Sequence, residues 1–345
     1  MNWFFTGMVI FVVVASFLPL TRHPHWIVRS FEFPRLQLAT ITAALTMAVF
    51  ICSLSPGYLT LLLPCLLWQI SWILPYTPCW SKEVKEASPR AQRLRIITAN
   101  VLQNNRQYQP LLSLVREYNP DILVTLESDQ HWQAQLDSLT DILPYRVVCP
   151  QSNLYGMHVY SRFKLQHTAI EYIIEENIPS IHSQISLPSG VAIDFHFLHP
   201  APPSPTENES AEPRDAELVV VAKRVAKHQR PTIITGDLND VAWSPTTRLF
   251  RKISGLLDPR VGRGMFNTFH TRFAFARWPL DHLFCSHHFR VSALKRLPKF
   301  GSDHFALYAE LAYEPEIEQR HNGLQPDEAD KKRGEEIIEK VETTP

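Results

Sequence analysis

The first 75 residues contain three apolar stretches without a charged side chain, at 3–20, 36–55 and 58–75. Each is 18 to 20 residues long, which is enough for a helix to cross roughly 30 Å of hydrocarbon. The first stretch lacks a preceding basic segment and a small-residue cleavage pattern, so it is typical of an anchor. We therefore predict a membrane domain of three transmembrane helices at 1–80. The alternative is a signal peptide followed by buried core helices.

The basic residues of the short loops indicate an orientation for this domain. They lie between the first two stretches and after the third, at Arg22, Arg29, Arg35, Lys82, Lys85, Arg90, Arg93 and Arg95. Because basic loops stay on the cytoplasmic side of a membrane, we expect both segments and the soluble part to face the cytoplasm. Only Cys149 and Cys285 fall in the soluble part, so no disulfide framework or cysteine zinc site is indicated.

The charge of the chain is balanced, with 34 basic and 34 acidic residues and a formal net charge of zero. A strongly basic surface is the electrostatic signature of nucleic-acid binding. Charge therefore does not favour nucleic acid as a partner.

Three segments follow the membrane domain. Residues 81–93 are charged, lack an apolar stripe and are typical of a linker. Residues 94–313 alternate strand and helix patterns, and several strand-like runs follow one another directly. Because few helices separate those strands, the pattern favours a mixed-sheet α/β sandwich over a doubly wound parallel fold. Residues 314–345 are charged and poor in apolar residues, so we expect a disordered tail or a loose helix.

Acidic, amide and imidazole residues stand at the ends of the strand-like runs in 94–313. Strand ends that meet at one edge of a sheet would place these side chains around one metal ion and one phosphate. Packing alone does not explain this ordered set, which comprises Asn100, Glu127, His199, Asp237, Asn239, Asp281, Asp303 and His304.

Most of these residue types fit a step of phosphate-ester chemistry. A hard divalent cation such as Mg²⁺ prefers carboxylate and amide oxygens, which Glu127 and Asn100 supply. Asp303 is a further candidate ligand for metal or water. Asp237 can orient or deprotonate an attacking water, and Asn239 can donate a hydrogen bond to a phosphate oxygen.

His304 needs a carboxylate that fixes its tautomer and its orientation. Asp281, on a neighbouring strand, is the candidate, and His304 would then donate to the phosphate. His199 is a second candidate donor. Because the guanidinium group suits phosphate oxygens, three arginines are candidate substrate-binding residues, namely Arg214, Arg272 and Arg277. For the last two, an aromatic core run with solvated arginines is an equal alternative.

Together these landmarks resemble the endonuclease/exonuclease/phosphatase superfamily, which includes DNase I-like nucleases, apurinic endonucleases, neutral sphingomyelinases and inositol polyphosphate 5-phosphatases. The matching motifs span residues 94–313 in the family's order: ITAN, VTLES, FHFLHP, GDLN, PLDHLF and GSDHF. The resemblance implies a four-layer α/β sandwich of two packed mixed β-sheets, and Mg²⁺- or Mn²⁺-dependent cleavage of a phosphate ester by in-line attack of water. It implies that Asn100 and Glu127 take the metal, Asp237 handles the water or leaving-group protons, Asn239 grips the phosphate, and Asp281 supports His304.

The stretch after His199 departs from the polar loop common in nucleases, since it continues Pro-Ala-Pro-Pro. With the apolar stretches, it resembles a bacterial membrane-anchored branch of the superfamily. Some members of that branch act on lipid-linked phosphates or pyrophosphates outside the cytoplasm. The resemblance thus implies a multi-pass protein of the inner membrane with an extracytoplasmic catalytic domain, whereas the loop charges indicate a cytoplasmic one. Both alternatives stay open.

We therefore expect a membrane-anchored, divalent-metal-dependent phosphohydrolase. Its partners would be the bilayer and a lipid-borne or other small phosphate ester. A membrane-tethered DNase I-like nuclease is the first alternative, and a non-catalytic membrane scaffold is the second. Because the sequence retains every landmark residue, we favour a catalytic function over a non-catalytic scaffold.

Overall fold

The N-terminal part of the chain forms four helices, and three of them are the predicted apolar stretches. The computed structural model describes residues 2–89, 91–228, 230–315 and 323–343. Two helical segments, Trp3–Thr21 and Pro56–Tyr76, are long and apolar enough to cross a membrane, and Arg35–Ile51 is apolar but shorter. Two helices, rather than the predicted three, therefore meet the requirement for a span. The helices are α1 (Asn2–Phe17), α2 (Trp26–Ser30), α3 (Arg35–Ile51) and α4 (Leu59–Ile73).

The remainder of the chain builds two mixed β-sheets. The first has strand order β10-β11-β1-β2-β4-β3, and the second has order β5-β6-β7-β8-β9. Each contains one parallel pair, β1 with β2 and β7 with β8, and its other pairs are antiparallel. The strands are β1 (Arg93–Asn100), β2 (Ile122–Leu126), β3 (Tyr145–Cys149), β4 (Met157–Ser161), β5 (Leu165–Glu171), β6 (Ser180–Ser186), β7 (Ala192–Leu198), β8 (Thr232–Asp237), β9 (Asp281–Cys285), β10 (Phe289–Arg296) and β11 (Leu307–Tyr313).

The two sheets pack face to face, with helices on both outer faces. Since side chains alternate along a strand, Ile96 of β1 points into the core between the sheets, together with Phe195 and Ile233 of the second sheet. Its neighbour Ile97 points outward, against the helix that contains Leu111. Four layers result, and they confirm the predicted α/β sandwich. The outer helices are α5 (Tyr108–Tyr118) and α6 (Gln130–Leu136) on the first sheet, and α7 (Glu212–His228) and α8 (Pro245–Ser254) on the second.

Short-range signals set the ends of these helices. Ser244 caps α8 by accepting the Thr247 N–H, and Pro245 occupies the first helical position, where its missing donor costs nothing. Gly255 ends α8 in a left-handed conformation, with φ of 70°. Asn119 ends α5 in the same way, just before Pro120. The loops that carry site residues therefore start from rigid elements.

Two segments are more ordered than their composition predicts. In the predicted linker, Val84 is fully buried, and Glu83 forms a buried ion pair with Arg251. In the charged tail, α9 (Glu328–Glu342) begins with a capping box in which Asp327 and Asp330 satisfy each other's backbone donors. A 2.6 Å ion pair from Asp330 to Lys252 holds this helix on the domain. Tertiary contacts thus hold two charged segments on the domain, and the helix in the tail agrees with the second of the two predicted alternatives.

The apolar helices contact the sandwich directly. Tyr76, which follows α4, packs in one buried cluster with Trp243 and Leu280 of the sandwich. The Trp243 indole donates to the carbonyl of Glu32 at 2.9 Å. Within the helices, a buried polar chain links Arg35 to Gln69 (3.2 Å) and Gln69 to Ser16 (2.9 Å). The N-terminal helices and the sandwich therefore share one packed boundary.

One buried histidine predicts how stability depends on pH. His282 in β9 receives a hydrogen bond from Arg260 and donates to the carbonyl of Asp240, and burial with the nearby Arg260 charge lowers its pKa to about 3. An unfolded imidazole has a pKa of about 6.5, so between these values only the unfolded state takes the proton. The contribution of His282 to the free energy of unfolding should fall by about 1.4 kcal/mol per pH unit as pH drops below 6.5. Thermal unfolding at pH 7 and pH 5 should show that His282→Gln loses less stability than the wild type on acidification. Equal losses of stability in the two proteins would contradict this assignment.

Candidate active site

Strand ends bring the candidate residues to one edge of the sandwich. Asn100 ends β1, Asp237 ends β8, and Glu127 follows β2 directly. Asp281, the first residue of β9, is the antiparallel partner of Asp237. Because β1 and β8 face each other across the core, with the Thr98 and Thr235 hydroxyls 2.6 Å apart, their polar ends meet as the sequence predicts.

Asn100 lies between two carboxylates. Its Nδ2 donates to Glu127 Oε1 at 2.7 Å and to Asp237 Oδ2 at 3.1 Å, while its Oδ1 accepts the Leu102 N–H. Glu127 has a left-handed backbone conformation, with φ of 56°, at the turn after β2. Asn100 is therefore placed as a donor that fixes both carboxylates, whereas the sequence predicts it as a metal ligand.

His304 lies between the carboxylates of Asp281 and Asp237. Its Nδ1 is 2.8 Å from Asp281 Oδ2, and its Nε2 is 3.5 Å from Asp237 Oδ2. All three side chains are buried. The Ser302 hydroxyl accepts the His304 N–H and donates to the Asn100 carbonyl, which fixes the GSDHF turn against β1. The structure thus contains the predicted contact between Asp281 and His304 and adds a contact to Asp237.

The pKa values of His304, Asp237 and Asp281 are set by burial and by the charges of the three groups on one another. Burial alone would lower the pKa of His304, but the carboxylates of Asp281 and Asp237 outweigh it and raise that pKa to about 10. Burial likewise opposes ionisation of Asp237, yet the facing His304 charge keeps the Asp237 pKa below its usual value. Burial raises the pKa of Asp281. At neutral pH, His304 is therefore a cation and Asp237 an anion.

For Glu127, burial outweighs the nearby cation. Burial, with Asp303 and Asp237 adding repulsion, raises the pKa of Glu127 to about 7, although the Asn100 hydrogen bond and the His304 charge oppose this. Four carboxylates thus surround a single imidazolium. Ligand atoms of Asp237, Asp281 and His304 also lie within 4.8 Å of one another. Clustered carboxyl oxygens are the donor set that Mg²⁺ or Mn²⁺ prefers, so the residues fit a divalent cation.

The GDLND turn and His199 border the same group. Asn239, with φ of 51°, donates its backbone N–H to Asp237 Oδ1 and its side-chain amide to the Pro200 carbonyl. Burial lowers the pKa of His199 to about 4, so its imidazole is neutral. His199 Nδ1 is buried without a hydrogen-bond partner. Asn239 is therefore partly committed within the protein, whereas His199 keeps an unused nitrogen.

The three predicted arginines do not gather at the phosphate position. Arg214 is buried and binds the Asp215 carboxylate and the Asn239 carbonyl, so it supports the GDLND turn from beneath. Arg277 donates to the carbonyls of His270 and Thr271 and lies over the Phe305 ring. Arg272 is exposed. The guanidinium groups of Arg214 and Arg277 bind neighbouring protein groups, and that of Arg272 faces solvent. This arrangement does not favour contact with the substrate.

A cavity of about 580 Å³ opens over these residues. Glu127, Asp237, Asn239, Asp303 and His304 line one side of it. Its other walls are largely apolar and come from three places: the connection between α1 and α3, the Pro-Pro stretch after His199, and the loop before β9. These wall residues are Arg29, Ser30, Phe33, Pro34, Pro202, Pro203, Phe269, Trp278 and Leu280. Sequence reasoning missed the N-terminal contribution, because a basic loop between apolar helices carries no signal of a distant contact.

The profile of one family, described as the endonuclease/exonuclease/phosphatase family, matches residues 97–304, which is more than half of the chain. Among solved structures, D. rerio TDP2 in complex with a single-strand DNA product is 16% identical, with a TM-score of 0.53 over 64% of this chain and 99% of that one. An endonuclease/exonuclease/phosphatase from Beutenbergia cavernae is 17% identical, with a TM-score of 0.51 over 65% and 72% of the two chains. The human nocturnin catalytic domain with bound sulfate is 17% identical, with a TM-score of 0.50 over 64% and 94%. No curated protein sequence matches. At these identities the structural likeness shows the fold alone.

Proposed function

Because this chain belongs to the endonuclease/exonuclease/phosphatase family, whose members are hydrolases of phosphoester bonds, we propose that it is a membrane-anchored, divalent-metal-dependent phosphohydrolase. The single observation that carries the proposal is the buried chain Glu127–Asn100–Asp237–His304–Asp281, which ends at a cavity large enough for a ligand. Its substrate would be a phosphate ester or pyrophosphate, hydrolysed by in-line attack of water.

The charges of the site support this reaction. Protonated His304, held by Asp281 through Nδ1, can donate from Nε2 to a phosphate oxygen and stabilise charge that develops there. The Asp237 carboxylate can orient the attacking water and take its proton as the new O–P bond forms and the ester P–O bond breaks. His199 and Asn239 border the same space and are proposed as further phosphate donors.

Glu127 is the proposed principal ligand of the metal, with Asp303 and Asp237 as partners. Burial, with a smaller repulsion from Asp303 and Asp237, raises the pKa of Glu127, and a divalent cation would stabilise its charged form against both, which is the physical reason for this choice. When bound, the metal would act as a Lewis acid on a phosphate oxygen. Asn100 would act by holding Glu127 and Asp237 in place.

The apolar helices support placement at a membrane. Large apolar side chains on α1, α3 and α4 are exposed, for example Trp3, Phe50 and Leu67, and contiguous apolar surface of this kind usually meets another apolar phase. We place the protein in a bacterial inner membrane, with the catalytic domain on the cytoplasmic side by the loop charges. Protease protection of the intact domain in spheroplasts would support that side, and rapid cleavage from outside would reverse it.

A phosphate-release screen tests the activity. Full-length protein in detergent micelles would be offered phospholipids, prenyl pyrophosphates, nucleotides, and single- and double-stranded DNA, with Mg²⁺ or Mn²⁺ and with EDTA. We expect metal-dependent hydrolysis of a small or lipid-borne phosphate ester. Cleavage of DNA alone, with a steep loss of binding as salt rises, would identify the nuclease alternative. Inactivity on every substrate would favour the scaffold.

Glu127→Gln tests the assignment of the metal ligand. The change keeps the shape of the side chain and its acceptor for Asn100 but removes the negative charge. Because a charged ligand is lost, the Mg²⁺ concentration for half-maximal activity should rise by at least about 10- to 100-fold. A titration of activity against Mg²⁺ and Mn²⁺ measures this. Asp141→Asn, an equivalent change at an exposed Arg116 pair, is the control and should not move the midpoint; an unmoved midpoint in Glu127→Gln would remove Glu127 from the metal.

A further inference from the structure

The connection between α1 and α3 enters the active site. Arg29, Ser30, Phe33 and Pro34 line the same cavity as Asp237 and His304, although they precede them by about two hundred residues or more. We refer to residues 29–34 as the interhelix segment. A part of the chain that would serve only as an anchor thus forms one wall of the catalytic cavity.

Several buried contacts fix this wall. The Arg29 guanidinium binds Asp215 (3.1 Å), Glu32 (3.0 Å) and the Thr246 hydroxyl (2.6 Å). The Glu32 carbonyl accepts from the Trp243 indole. Because charge-assisted contacts inside a protein hold side chains firmly, the interhelix segment has a defined position beside the catalytic residues.

Phe33 and Pro34 give this segment an apolar surface toward the cavity. Phe33 meets Trp278 edge to face, with ring centroids 5.8 Å apart. Leu280 and Phe269 continue the wall toward His304, and the Phe269 ring lies 4.9 Å from the imidazole. A continuous apolar surface therefore runs from the interhelix segment to the atoms that would act on the phosphate.

The charges of the cavity argue against a nucleic acid as its occupant. Among the described residues that line it, the only guanidinium or ammonium group belongs to Arg29, whose charge is already matched by Glu32 and Asp215. A polyanionic backbone would need several uncommitted cations along its path. An ester with one phosphate and an apolar remainder needs none beyond the catalytic group.

The mouth of the cavity lies beside the apolar helices. Pro34 leads directly into α3, and Gln37 on the first turns of α3 donates to the carbonyl of Phe275 at 2.6 Å. Phe275 and Phe273, in the loop that also carries Phe269 and Trp278, are 76% and 48% exposed. An apolar chain could thus pass from an apolar phase around α3 toward the cavity along these phenylalanines.

On the basis of the function proposed above, we propose that the interhelix segment and Trp278 form a subsite for the apolar chain of the substrate. The substrate class is then a phosphate ester of a long-chain alcohol, bound with its phosphate at His304 and Asp237 and its chain against Phe33, Trp278 and Leu280. The interhelix segment is a specificity determinant and not only a connection.

Chain-length selectivity tests this subsite. Full-length protein in non-ionic detergent micelles would be assayed on butyl and hexadecyl phosphate and on their p-nitrophenyl diesters, with Mg²⁺ and Mn²⁺. The wild type should prefer the hexadecyl over the butyl ester by at least about 10-fold in kcat/KM, since burial of the longer alkyl chain against the apolar wall is favourable. Phe33→Ala should lower this preference by about 10-fold, mainly through KM, and leave the butyl ester within about 3-fold.

Two further variants make the result decisive. Ser30→Trp places bulk in the cavity from an exposed position, so it should fold normally and also remove the preference. Tyr145→Ala truncates an exposed aromatic side chain on β3 that does not line the cavity and is the matched control; it should keep the preference.

The outcomes separate the two proposals. Hydrolysis of the butyl esters without a chain-length preference would overturn the subsite and leave the phosphohydrolase standing. Equal losses on both chain lengths in Phe33→Ala and Ser30→Trp would do the same. Inactivity of the wild type on all four esters and throughout the wider screen would overturn both.

Discussion

Replacing Asp237 by asparagine is expected to lower kcat by about 10³-fold or more, with little change in fold. An amide cannot accept a proton from water, and general-base catalysis typically contributes about 10²- to 10⁴-fold. The substitution also removes the anion that faces His304 and Asn100. Steady-state kinetics on the substrate found in the release screen, with metal at saturation, measures the loss.

The control for Asp237→Asn must separate chemistry from folding. The asparagine oxygen can still accept the Asn239 N–H, as Asp237 Oδ1 does at 2.9 Å, so the GDLND turn should keep its shape. Circular dichroism and the thermal midpoint should stay near those of the wild type. Retention of more than about a tenth of kcat would exclude Asp237 as the group that handles the attacking water.

Replacing Asp281 by asparagine is expected to lower kcat by about 10²- to 10⁴-fold. Asp281 holds His304 through Nδ1 and contributes the largest favourable charge that raises the His304 pKa to about 10. Without that carboxylate the imidazole loses its proton at lower pH, and its tautomer is no longer fixed. The alkaline limb of the activity profile should therefore move to lower pH.

The pH profile distinguishes this role from a structural one. A variant that merely loosens the domain would lower kcat at every pH and leave the shape of the profile unchanged. Asp281→Asn should instead recover part of its activity as pH falls and His304 is protonated again. An unshifted alkaline limb would show that His304 does not act as a cation held by Asp281.

The sequence predicted the sandwich and the meeting of polar strand ends because both depend on local patterns. The apolar, β-branched runs RIITAN and PTIITG predict strands from their own residues. When the two sheets pack face to face, the carboxyl ends of β1 and β8 lie at the same edge of the sandwich. The edge strands β3 and β5 have a weaker signal, since their exposed positions break the apolar alternation that marks a strand.

The roles of charged residues were harder to predict from the sequence. The sequence predicts that Arg214 contacts the substrate, because its guanidinium group suits phosphate oxygens. Its neighbour Asp215, which Arg29 also binds from far away in the sequence, draws it inside. Asn100 was expected as a metal ligand, but only the tertiary structure shows its Nδ2 between Glu127 and Asp237. Long-range partners of this kind leave no trace in a local pattern.

Trp243, Tyr76 and Leu280 pack at the boundary between the N-terminal helices and the sandwich, and this packing limits how the chain can be divided. A hydrolase cut free at residue 81 would bring these side chains into water and leave Asp215 without one of its two arginines. The N-terminal helices are therefore part of the folded unit, and a fragment that begins at residue 81 should be less stable than the full chain. Changes on either side of the boundary would have to be matched on the other.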